Sequence, residues 1–270
     1  MKFCFALLAL GLGLNGPLCA EELSRFNCQR PAPVEEGSAA NARLAASLVN
    51  GIILKPGEVF SFNKAMTPGL GRFVEGTAYA SGKVISSEGG GICQVSAALY
   101  NAALLAGLDV EERHSHSIYD PLEAYVPAGQ DSAISRSVGA DMRFVNSTAS
   151  PLALSVTAQG GEVDVVLLGH QRHPRQRWIR TRELARQAHA VHERLDLALA
   201  PGSRVLQHKG FDGLRISREL CKSGPDGLTD CASLGADDYM QVDEVWRVGP
   251  SLASAAPDSS PAASTQDGRP

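Results

Sequence analysis

The sequence lacks a membrane-spanning apolar run. Its N-terminal one, Phe3 to Leu14, is too short to cross a bilayer, so no retained anchor is expected. It also lacks an excess of positive charge: 25 Lys and Arg stand against 29 Asp and Glu, a net charge of -4 with pI near 6.0. That balance gives no basis for nucleic-acid binding. There is no tandem repeat, which excludes a repeat array. What is present is an ordinary globular composition, 44% hydrophobic and 20% charged. The 270 residues suit one medium domain plus a small one.

Cysteine is sparse as well. Residues 1–20 read as a secretory signal, with Lys2 as the basic start, Phe3 to Leu14 as the apolar region and small residues at Cys19-Ala20. Acylation at Cys19 is the lipoprotein alternative, but Gly16-Pro17-Leu18 is a poor match to a lipobox. The expected location is therefore exported, periplasmic or wall-associated. Cys28, Cys93, Cys221 and Cys231 remain after cleavage. Cys221 and Cys231 flank a Gly224-Pro225-Asp226-Gly227 turn, so they are expected to bridge two adjacent strands. Cys28 is either free or paired with Cys93; the second arrangement would make Cys93 structural.

The stretch that organises the chain is Glu88-Gly89-Gly90-Gly91-Ile92-Cys93-Gln94-Val95-Ser96. Three glycines run into a cysteine, and the Ala- and Leu-rich run from Val95 to Leu108 predicts a buried helix stopped by Gly107. Cys93 then sits in the first turn. Unpaired N–H groups and the positive end of the helix dipole stabilise a thiolate there. Glycine allows close backbone approach, so Gly90 and Gly91 are candidates to line an oxyanion site and Gln94 to touch substrate. The plain alternative is a small buried cysteine after a turn.

Val110 to Ser117 has strand character, which would place His114 and His116 on one face. One of them is then a base for a Cys93 nucleophile, with His116 the first choice and His114 the second. Zinc binding by the two histidines and Cys93 is a second chemistry. No further cysteine or dedicated acidic ligand lies nearby in sequence, so neither metal nor cofactor is expected. Structural histidines are the third reading. Asp131 and Asp141 are candidates to orient a histidine, or to cap turns. Arg113 and Arg136 are candidates for a substrate carboxylate, or plain surface arginines.

Around this stretch, Asn41 to Asn50 has helical spacing with Ser38 as N-cap, and Ile52–Leu54 and Val59–Phe62 read as short strands around Lys55-Pro56-Gly57-Glu58. Residues 133–169 alternate as an antiparallel sheet does. The class is α+β, with a central helix against an antiparallel sheet, followed by a small all-β module. The expected divisions are a signal at 1–20, an N-terminal arm at 21–37, a main domain at 38–169, an Arg-rich linker at 170–200, a β module at 201–249 and a disordered Ser/Ala/Pro tail at 250–270.

Gly89 to Ala103 resembles the signature of the VanW family, named after a protein of vancomycin-resistance clusters. Flanking pieces extend the resemblance over residues 38–169: Asn41-Ala42-Arg43-Leu44, Phe60-Ser61-Phe62-Asn63, Glu112-Arg113-His114-Ser115-His116-Ser117, Gly129-Gln130-Asp131 and Asp141-Met142-Arg143-Phe144-Val145-Asn146. Pro201-Gly202-Ser203-Arg204-Val205, Lys209-Gly210-Phe211-Asp212-Gly213 and Val242 to Gly249 resemble a glycine-five (G-five) module, a small β unit. The resemblance implies an envelope protein whose partner is peptidoglycan or another cell-wall polymer. It further implies an L,D-transpeptidase-like activity in which Cys93 takes up a stem peptide before a terminal D-Ala leaves. The rival implication is a non-catalytic wall-binding protein.

Overall fold

The computed structural model of the chain describes residues 20–80, 83–170, 176–224 and 228–251. The expected signal, most of the tail, Arg172, Arg175 and most of the Gly224–Gly227 turn lie outside the described residues.

In chain order the elements are β1 (Glu21–Gln29), α1 (Glu36–Val49), β2 (Ile53–Leu54), β3 (Val59–Ser61), α2 (Phe62–Ala65), β4 (Glu75–Ala80), β5 (Lys83–Glu88), α3 (Cys93–Ala106), β6 (Asp109–Glu112), β7 (Arg143–Val145), β8 (Leu152–Gln159) and β9 (Glu162–Gly169). There follow β10 (Arg177–Gln187), β11 (Val191–Leu195), β12 (Arg204–His208), β13 (Gly213–Ser223), β14 (Thr229–Tyr239) and β15 (Glu244–Val248). Helix and strand are mixed, and strand dominates.

The described residues divide into two compact units. One holds those up to His189 together with Phe211–Val242. Its principal sheet has the order β1-β9-β8-β2, all antiparallel. α1 packs on β8, and α3 packs on β1 and β9. α3 is apolar on nearly all sides and is correspondingly buried. Gly107 ends it in the left-handed conformation at φ 76°. The polar side chains that α3 buries are bonded through their donors, and Asn101 Oδ1 is left without a partner among the described residues. Gln94 Nε2 donates to Gly161 O (2.7 Å), Ser96 Oγ to Ser132 Oγ (2.8 Å), and Asn101 Nδ2 to Ala97 O and Gln130 O. In the same unit are the sheets β3-β7-β6 and β10-β13-β14 and the hairpin β4-β5. The second unit is the sheet β11-β15-β12. There Arg204 lies over the Trp246 ring (4.6 Å), and Arg247 Nε donates to Asp196 (2.6 Å).

Several sequence expectations differ from this arrangement. The N-terminal arm is a strand, because β9 supplies a full antiparallel partner for Glu21–Gln29. α1 begins earlier than Ser38: Glu35 is its N-cap, accepting from the N–H groups of Gly37 and Ser38. β2 and β3 do not pair with each other but with β8 and β7. β6 stops at Glu112, so both histidines lie beyond the strand and its alternation does not place them. Residues 177–187 and 191–195, expected as a linker, are strands of different units. Residues 211–242, expected with the small module, belong to the larger unit because β13 pairs along β10.

The bond between Cys221 and Cys231 is formed. The two are direct partners on β13 and β14, with Cα atoms 4.0 Å apart. Cys28 and Cys93 are both free thiols.

Candidate functional site

Cys93 is brought to its position by close backbone packing in front of α3. Gly90 lies against Gly76 so tightly that a Cβ on Gly90 would fall 2.1 Å from Gly76 O. Gly91 has φ +103°, and a Cβ there would meet the Ser38 backbone at 2.6 Å. Asn41 of α1 locks this approach by donating to Gly90 O (2.9 Å). These two glycines are therefore required by packing. The Gly90 N–H donates to Ser87 O (2.9 Å), which removes it as an oxyanion donor. Gln94 points into the interior toward Gly161 and is not a substrate contact.

His116 hydrogen-bonds the Cys93 thiol, and the Ile134 N–H donates to the same sulfur. On its other side, the His116 ring meets Asp131 through Nδ1, 2.7 Å from Oδ2. The His116 backbone N–H donates to that same oxygen at 2.7 Å. With Nδ1 on the carboxylate, Nε2 is the ring nitrogen left for the thiol. The two loops that carry His116 and Asp131 are tied by Ala133 N–H to His114 O (2.8 Å). A Cys–His–Asp relay is thus assembled from three separate stretches of chain.

The electrostatics favour a charged pair. Burial pushes the Cys93 thiol up, but the hydrogen bond and positive charge of His116, with the Ile134 N–H, outweigh it and leave the thiol below its ordinary value. Burial depresses His116, but Asp131 and Cys93 raise it further, to about 10. Asp131 is held well below the usual carboxylate range: burial works against it, and His116 and Arg113 overcome that. Cys28, by contrast, is pushed up to about 12 by burial.

Behind Asp131 lies a second set of buried partners. Arg113 Nη2 donates to Asp131 Oδ1 (2.7 Å), and its Nη1 meets both oxygens of Asp237 at 2.6 Å. Arg218 Nε lies 3.0 Å from Asp237, and its Nη1 donates to the Tyr100 hydroxyl (2.8 Å). The Tyr239 hydroxyl donates to Asp131 Oδ1 and accepts from the Gly129 N–H (2.7 Å). Arg113 is thus committed to two carboxylates and is not a substrate anchor. Arg136 is exposed and donates to Asn63 O (3.1 Å). His114 is exposed and pairs with Glu112 at 2.9 Å, away from Cys93. Asp141 caps the start of α2, accepting from Ser61 Oγ (2.6 Å) and the Asn63 N–H (2.8 Å). Among the described residues no three of His, Cys, Asp and Glu are grouped as metal ligands would be.

Sequence reasoning missed Asp237, Tyr239, Arg218 and Tyr125. Asp237 and Tyr239 alternate with exposed Asp238 on β14, so a buried Asp in a strand pattern was the available signal. Beside the relay is an open cleft of about 40 Å³ whose lining includes His116, Asp131, Tyr119, Tyr125, Asp120 and Glu123. Another cavity, lined by Gly107, Arg177 and Lys222, is at the far end of α3 from Cys93.

Comparison with known proteins adds the following. Residues 37–168 match the family model described as "VanW like protein". The chain is 35% identical over 133 residues to "Uncharacterized protein YoaR" of Bacillus subtilis (strain 168), covering 47% of this chain and 41% of that one. It is 34% identical over 90 residues to "Vancomycin B-type resistance protein VanW" of Enterococcus faecalis (strain ATCC 700802 / V583), covering 31% of each. The chain thus spans less than half the length of these relatives. Two solved structures align at low scores. The "Crystal structure of HP0197-G5" has 18% identity, a TM-score of 0.17, and covers 28% of this chain and 100% of its own. The "IgA1 Protease G5 domain structure" has 10% identity, a TM-score of 0.20, and covers 30% and 99%. Likeness at that level carries no argument. No helix among the described residues is long and apolar enough to cross a membrane.

Proposed function

Since the chain carries a VanW-like domain over residues 37–168, we propose that it is an exported envelope enzyme. It acts on peptidoglycan stem peptides by cysteine acyl transfer, in the manner of an L,D-transpeptidase. The observation that carries the proposal is the hydrogen-bonded order Cys93, His116, Asp131.

In this reading the Cys93 thiolate attacks the carbonyl carbon of the acyl donor. The C–S bond forms, and the oxyanion is met by backbone N–H groups at the start of α3. The N–H groups of Gly91 and Cys93 are open for this, because neither has a backbone acceptor among the described residues. As the tetrahedral adduct collapses, the C–N bond breaks and His116, as imidazolium, gives its proton to the departing amine. A thioester remains. A second amine attacks it and His116 takes up that proton, so the thiolate leaves and a new amide forms. Asp131 holds the imidazole in the orientation this exchange needs, and Arg113, Asp237 and Tyr239 hold Asp131.

The test is incubation of the mature protein with muropeptides, followed by mass spectrometry. Expected are a cross-linked product and an acyl adduct on Cys93, both absent in Cys93→Ala. Binding to wall polymer without any adduct, with a Cys93 no more reactive than a free thiol, would leave the non-catalytic wall-binding reading in its place.

A further inference from the structure

We propose that Arg30 is an anchor for a carboxylate group on the ligand that Cys93 attacks. The inference rests on the nucleophile reading above and deepens it, by stating that the acyl donor carries a carboxylate near the reacting carbonyl.

Arg30 follows β1 directly and lies outside the family match, which starts at residue 37. Its backbone is fixed: the N–H donates to Gly161 O (2.9 Å), and its carbonyl accepts from Gln29 Nε2 (3.0 Å). Arg30 is only 6% exposed, the one arginine among the buried residues of the described chain. Buried guanidinium groups are normally matched by a carboxylate. The other inward-facing arginines of the site obey that rule: Arg113 is matched by Asp131 and Asp237, and Arg218 by Asp237. Arg30 has no carboxylate within ion-pair distance and no hydrogen-bond acceptor for its guanidinium among the described residues. Glu162, whose charge also reaches Cys28, is engaged by the Asn27 side chain.

The guanidinium lies over the Tyr125 ring, 5.3 Å from its centroid. Tyr125 lines the same cleft as His116 and Asp131. Its hydroxyl feels the charges of both Cys93 and Arg30. A largely buried arginine, stacked on Tyr125 of the cleft and with no carboxylate of its own chain within ion-pair distance among the described residues, is a receptor for an anionic group. The planar fork of arginine suits a carboxylate in particular.

The test uses two thiol reagents of similar size, iodoacetate and iodoacetamide, on the full protein. Free cysteine supplies the intrinsic ratio. Wild-type Cys93 should prefer iodoacetate relative to free cysteine. In Arg30→Gln that preference should fall roughly tenfold while iodoacetamide reacts within about twofold of wild type. Arg30→Lys should restore part of it. An unchanged ratio in Arg30→Gln overturns the anchor. Equal slowing with both reagents also overturns it, since Arg30 would then support the thiolate or the fold. If Arg30→Gln does not fold, wild type decides. N-acetylglycine should protect Cys93 from iodoacetate and N-acetylglycinamide should not; equal protection by both overturns the proposal. A Cys93 no faster with iodoacetamide than free cysteine would defeat the nucleophile reading separately, with the reagent ratio still measurable.

Discussion

Tyr239 donates a hydrogen bond of 2.6 Å to Asp131 across 108 residues of chain. Tyr239 stands on β14, outside the family match of residues 37–168, and Asp131 inside it. The relay is therefore supported by a strand that the family segment does not include.

Removing that hydroxyl tests the support. Tyr239→Phe deletes one donor to a buried carboxylate and the acceptor of the Gly129 N–H. Hydrogen bonds to charged groups contribute about 1.5–3 kcal/mol, so a stability loss of that order is expected in urea titration. Cys93 alkylation near neutral pH should slow with it, because a less firmly held Asp131 supports the His116 imidazolium less. Unchanged stability and unchanged alkylation together would show the contact to be idle.

The Cys93–His116 pair predicts a pH dependence of reactivity. With the thiol lowered and the imidazole raised, Cys93 should react with iodoacetamide at pH values below the ordinary thiol value of 9.0. Cys28, pushed up to about 12, should stay silent over the same range. His116→Asn should return the Cys93 profile toward or above that of a free thiol. Mass-spectrometric site assignment against pH reads both cysteines at once.

The same pair predicts the sign of an alkaline stability loss. His116 is raised, so its contribution is full below its ordinary 6.5 and is lost as pH rises through about 10. Cys93 is lowered, so its contribution grows until pH passes the ordinary 9.0 of the unfolded thiol. Between those ordinary values the two slopes oppose each other. Above pH 9.0 the His116 slope is joined by that of Cys28, whose thiol ionises at 9.0 when unfolded and only near about 12 when folded, so Tm should fall as pH approaches 10. Thermal melts from pH 7 to 11 should show this fall, and His116→Asn should make it shallower without removing the Cys28 part.

Gly91→Ala should be strongly destabilising. The residue has φ +103°, and the new Cβ would sit 2.6 Å from Ser38 O and 2.7 Å from Ser38 Cα, both backbone atoms that cannot swing aside. Strain plus overpacking is expected to cost about 3 kcal/mol. Gly71→Ala is the control: its φ of +75° is also left-handed, but nothing lies within 4 Å of its Cβ. Denaturant midpoints of the two variants should separate the steric part from the backbone part.

Opening the Cys221–Cys231 bridge with a double serine variant should cost about 2–3 kcal/mol, the loop-closure value for so short a loop. Because the bridge joins the two strands that carry Arg218, Asp237 and Tyr239, Cys93 reactivity should decline as well. Reduction of the wild type with dithiothreitol, followed by the same melt and alkylation assay, gives an independent reading.

The sequence by itself determined the local features. Three glycines before Cys93 and an alanine-rich run after it state a helix start, and Gly107 states its end, because capping and propensity are properties of neighbouring residues. The strands β8 and β9 were legible from alternation for the same reason, and the Cys221–Cys231 bridge from two cysteines astride a turn. What only the tertiary structure decided is which charges meet. His114 and His116 differ by two positions, yet one pairs with exposed Glu112 and the other with buried Asp131, since β6 ends before either and no period governs them. Arg113 read as a possible substrate contact until Asp131 and Asp237, 18 and 124 residues away, took up its donors. The interleaving of the two units, with β13 and β14 returning to the larger one, was likewise absent from local pattern. Strand pairing and buried ion pairs are contacts between distant positions, and composition and spacing carry no record of which partner will be folded against which.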